Sequence, residues 1–102
     1  MRLEREPGFA LAITVRIRAS LEELDPQMLA LPIAARCEVS YQHGDSPVTR
    51  STVARELVYA VAHGIHHYAL IAVMARLVNA ALPPHFGVAP STLAHQKASE
   101  SR

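Results

Sequence analysis

The sequence is poor in cysteine, aromatic residues and net charge. Cys37 is its single cysteine, tryptophan is absent, and aromatic residues make up 5% of the 102 positions. One cysteine allows no disulfide within the chain and no cysteine-based zinc site, and is typical of a reducing, cytoplasmic protein. Ten Lys and Arg against nine Asp and Glu leave a formal charge of +1. Because the arginines are scattered along the chain, nucleic-acid binding is not favoured.

Signals for export or membrane insertion are also weak. Residues 1–8 include acidic side chains and Pro7 where a secretory signal would be apolar. The segment 57–82 is long enough to cross a bilayer, but three histidines and Arg76 would be costly in lipid. We therefore expect a single domain, residues 1–102, with no membrane span.

A first helix is predicted over residues 9–25. Apolar side chains recur at helical spacing at Ile13, Ile17, Leu21 and Leu24. Pro26 ends this helix because a residue that precedes proline is biased away from helical angles. Residues 26–50 then form a connection. Within it, residues 36–41 alternate in polarity as a short strand or an extended segment would, and 43–47 have the composition of a turn.

A long helix is predicted over residues 52–81, and a C-terminal extension over 83–102. Ser51 or Thr52 can cap the start of the helix, and Pro83 ends it. The polar end of the extension, from Gln96 onward, is expected to fray. Thirty helical residues make a rod of roughly 45 Å, apolar on most of its circumference. Since the first helix is about half as long, we expect a homodimer or a companion chain to cover the rod.

The strongest chemical signal is the pair His63 and His67, which lie four positions apart in this long helix. Residues at i and i+4 share a helix face, so both imidazoles can converge on one divalent ion. Glu56 and His66 are candidates for supporting the ligands. Gly64 stands where zinc proteases carry their glutamate, which disfavours that class. The alternative is a pair of core or boundary histidines that are hydrogen-bonded to backbone and water.

Catalytic zinc usually has three protein ligands. The candidates for a third ligand are His43, His85 and His95, with Cys37 and Glu56 as poorer choices, and none has a spacing that recommends it.

Residues 51–71 and 82–92 resemble the C-terminal part of DinB-like proteins, a superfamily that includes YfiT-like hydrolases and bacterial thiol-dependent transferases and isomerases. The resemblance implies a four-helix bundle with zinc or nickel on three histidines, two of them from a His-x-x-x-His motif that His63 and His67 match. Residues 6–26 look like the third helix of the family. The fold implied is all-α: half of a DinB-like four-helix bundle, with two main helices joined by a long, partly extended connection and completed by self-association.

Two functions follow from this resemblance. The preferred hypothesis is a truncated or vestigial, metal-binding helical protein with a binding or structural role. A sharper version has two copies pair through their long helices and bring four histidines together near a shared axis. The alternative is a metal-dependent thiol transferase or hydrolase that acts on a small molecule, for which no catalytic residue can be named.

Overall fold

The computed structural model describes residues 1–42, 44 and 46–102. The chain divides into two compact units, Met1–Val53 and Ala54–Arg102. His43 and Asp45, which fall in the predicted turn, lie outside the described residues.

The first unit begins with two helices, α1 (Arg2–Arg5) and α2 (Pro7–Glu22). Proline at the first position of α2 suits a helix start, because its fixed φ is helical and its missing N–H would have no partner there. The Arg2 side chain supports this start: its Nε donates to the Glu6 carboxylate at 3.0 Å, and its guanidinium carbon lies 4.1 Å from the centre of the Phe9 ring. The helix predicted over residues 9–25 is therefore present, with slightly different ends.

A short 3₁₀ helix, Pro26–Ala30, follows in the connection. The Asp25 carboxylate accepts a hydrogen bond from the Gln27 N–H at 2.9 Å and caps it. A β-hairpin comes next: β1 (Pro32–Arg36) pairs antiparallel with β2 (Val48–Thr52), Pro32 opposite Thr52 and Arg36 opposite Val48.

The prediction of an all-α fold is therefore wrong. The alternating segment 36–41 is not a strand, because β1 ends at Arg36, where that alternation begins. The partner strand carries Val48, Thr49 and Thr52, β-branched residues that fit a pleated surface. Their composition predicts a loop up to Arg50 and a helix cap at Ser51 or Thr52, so the strand is a correction. The hairpin also removes the basis for describing the chain as half of an all-helical four-helix bundle.

The second unit is organised around α3, which spans Val53–Leu77. The helix was predicted over residues 52–81 and ends four residues earlier. At its C-terminus Asn79 takes a positive φ of 55°, and two hydrogen bonds close the last turn: Asn79 N–H to the Arg76 carbonyl at 3.2 Å and Ala80 N–H to the Ala75 carbonyl at 2.8 Å. This is a Schellman termination, in which asparagine substitutes for the usual glycine.

After this termination the chain folds back on the C-terminal half of α3. The Phe86 ring lies 5.2 Å, centre to centre, from the Tyr68 ring, and Gly87 comes close to the α3 backbone. Ala72 and Ala75 are buried on this side of the helix. A fourth helix, α4, follows over Pro90–Glu100, so the expectation of a frayed polar end is wrong.

Among the described helices, α3 has the length and composition to cross a membrane, with a mean hydropathy of 1.4. A single helix of this kind is weak evidence for a span, and it has the same composition as a helix that other protein surfaces cover.

Candidate functional site

The two imidazoles of the predicted pair meet on the surface of α3. The Nε2 atoms of His63 and His67 lie 2.9 Å apart, and the rings are 4.5 Å apart between centres with an edge-to-face angle of 70°. One ring donates and the other accepts, so each imidazole satisfies one nitrogen through its neighbour. Both residues are exposed. The i,i+4 spacing predicted this convergence, but not that the rings would lie in the open.

Tyr59 extends the pair by one helical turn. Its ring stacks on His63 with centres 5.8 Å apart and planes 21° apart. The result is a column of three rings along one side of α3. Sequence reasoning missed Tyr59, although it stands four residues before His63 and the same spacing argument would have found it.

The two supporting residues lie away from the pair. Glu56 precedes His63 by seven residues, which is about 10 Å along the helix axis, and Tyr59 stands between them. His66 lies about 60° around the helix from His63, on the opposite side from His67.

The described residues do not complete a metal centre. They contain no group of three His, Cys, Asp or Glu side chains that could hold an ion, so His85, His95, Cys37 and Glu56 do not join the pair. The remaining candidate, His43, is outside the described residues. Since zinc or nickel needs more than two protein ligands for a stable site, the pair by itself does not fit a resident metal.

The histidine pair is part of a larger surface that we call the open face of α3. It consists of six residues between Tyr59 and Leu77 that lie on one stripe of the helix, each within about 40° of His63 in angle around the helix axis. They are Tyr59, His63, His67, Leu70, Met74 and Leu77. All six are exposed. Ala72 and Ala75 lie on the other side of the helix, where the turn carrying Phe86 and Gly87 packs.

Apolar hollows also lie on other parts of the described surface. One, of about 580 Å³, follows the hairpin and is lined by β1 and β2 residues that include Ile33, Val48 and Arg50. Another, of about 390 Å³, follows the N-terminal half of α3 and is lined by Leu57, Val58, Val61, Ala62 and Ile65. Both are open surface depressions rather than enclosed cavities.

Comparison with known proteins finds similarity to FK506-binding protein 5 of Rhizopus delemar, at 34% identity over 83 residues. The matched region is 81% of this chain and 22% of that protein, so the chain spans about a fifth of the length of the curated relative it matches. No family profile and no solved structure matches the chain.

These findings correct the description of the chain as a metal-binding four-helix bundle, and the resemblance to DinB-like or YfiT-like proteins stays a prediction. The relative is named for binding FK506. The described residues bring two potential ligands together and not three, and the chain contains a β-hairpin. What stands out instead is an exposed, apolar helix with a self-bonded histidine pair at its centre.

Proposed function

We propose that this chain is a helical association module, in which the open face of α3 binds an apolar surface of another polypeptide, either a second copy or a companion chain. The observation that carries the proposal is the exposure of Leu70, Met74 and Leu77 in line on one side of a 25-residue helix. Contiguous apolar surface of this extent marks an interaction site in soluble proteins.

The interior of the described chain supports the same proposal. Its buried apolar residues are Ala72 and Ala75, and no large side chain among the described residues is fully buried. Burial of apolar area is the main driving force for folding, at about 25 cal/mol per Å². A chain that leaves its large apolar side chains in water gains stability when a partner covers them.

The setting we propose is cytoplasmic, where the exposed thiol of Cys37 stays reduced. A zinc or nickel ion would require a third ligand from outside the described residues. The alternative, a metal-dependent thiol transferase or hydrolase that acts on a small molecule, would depend on the same ion and stays a prediction.

The proposal is tested by measuring mass and stability together. Sedimentation equilibrium at 5–100 µM, which are roughly the concentrations used for interfaces of micromolar affinity, gives the assembly state, and urea unfolding followed by circular dichroism gives the free energy of unfolding. We expect either assembly or an isolated chain that is only partly folded. A monomer with a free energy of unfolding above about 5 kcal/mol would contradict the proposal.

A second candidate function comes from the named relative: binding of FK506 or a similar apolar macrocycle. It is favoured by the 34% identity and by the apolar hollow at the hairpin. Isothermal titration calorimetry with FK506 tests it. Binding that Ile33→Asp weakens and Val61→Asp leaves unchanged would support it, whereas absence of heat at micromolar concentrations would exclude it.

A further inference from the structure

We draw no further inference here: the strongest candidate, the open face of α3 around the exposed His63 and His67 pair, carries nothing beyond the proposed function, because nothing in the structure shows what covers it.

Discussion

Between Leu70 and Leu77, the two sides of α3 are similar in polarity and opposite in packing. On one side, Ala72 and Ala75 are buried where the turn at Phe86 and Gly87 packs on the helix. On the other, Leu70, Met74 and Leu77 are exposed. Small residues are inside and large ones outside, the reverse of the usual order in a monomeric core. The comparison teaches that α3 uses its small residues for close contact within the chain and keeps its large ones for contact with something else.

Gly87→Ala, in the turn that packs on α3, is the substitution with the largest expected effect on the free energy of unfolding. A Cβ at this position would lie 2.7 Å from the Tyr68 carbonyl oxygen and 2.8 Å from the Ala72 Cβ, and the φ of Gly87 is +80°. We expect a loss of about 3 kcal/mol in the free energy of unfolding, from overpacking and left-handed strain together. Urea unfolding followed by circular dichroism measures it.

Gly64→Ala is the matched control, since it makes the same chemical change in the middle of α3. No atom lies within 4 Å of a Cβ built there. If Gly87→Ala costs no more than Gly64→Ala, the close packing of the turn on α3 is wrong.

The second prediction concerns the C-terminal end of α3, where Asn79 terminates the helix. Asn79→Val places a β-branched residue at a φ of 55°, which costs about 1–2 kcal/mol. The Schellman bonds at Asn79 and Ala80 should weaken, and hydrogen exchange of the Ala80 amide should speed up. Asn79→Gly serves as the control, because glycine adopts this conformation freely. Equal exchange rates in the two variants would contradict the termination described here.

Gly64→Ala is also a separate prediction, because we expect it to stabilise the chain whereas Gly87→Ala destabilises it. Glycine in a helix interior is less favourable than alanine by about 0.5–1 kcal/mol. Because the space at Gly64 is open, we expect the free energy of unfolding to rise by that amount. A decrease in the free energy of unfolding would show that other atoms already pack against α3 at Gly64. The comparison between the two sides of the helix would then have to change.

The smallest effect on stability is expected for His67→Ala. Its hydrogen bond to His63 is exposed, so its loss should change the free energy of unfolding of the isolated chain by less than about 0.5 kcal/mol. The ¹⁵N resonance of His63 Nε2 should shift, since that atom loses its partner. A loss of several kcal/mol would mean that the pair is enclosed in the assembled protein.

Local patterns predicted the elements of this chain better than its packing. The apolar spacing at Ile13 and Ile17 predicted α2, and the i,i+4 spacing predicted that His63 and His67 would meet. The hairpin was missed because β1 has no alternation and the alternating residues come just after it. The close approach of Gly87 depends on residues fifteen to nineteen positions away, Ala72 and Tyr68, and no local pattern encodes such a contact.

The exposed thiol of Cys37 has a practical consequence for every mass measurement proposed above. As the single cysteine of the sequence, it accepts one fluorophore or nitroxide per molecule without any engineering, and the spacing between two such labels reports directly on copies that come together. Air oxidation of the same thiol would form an intermolecular disulfide, and the covalent dimer could be mistaken for non-covalent association. Every sample whose mass is measured should therefore contain a reductant.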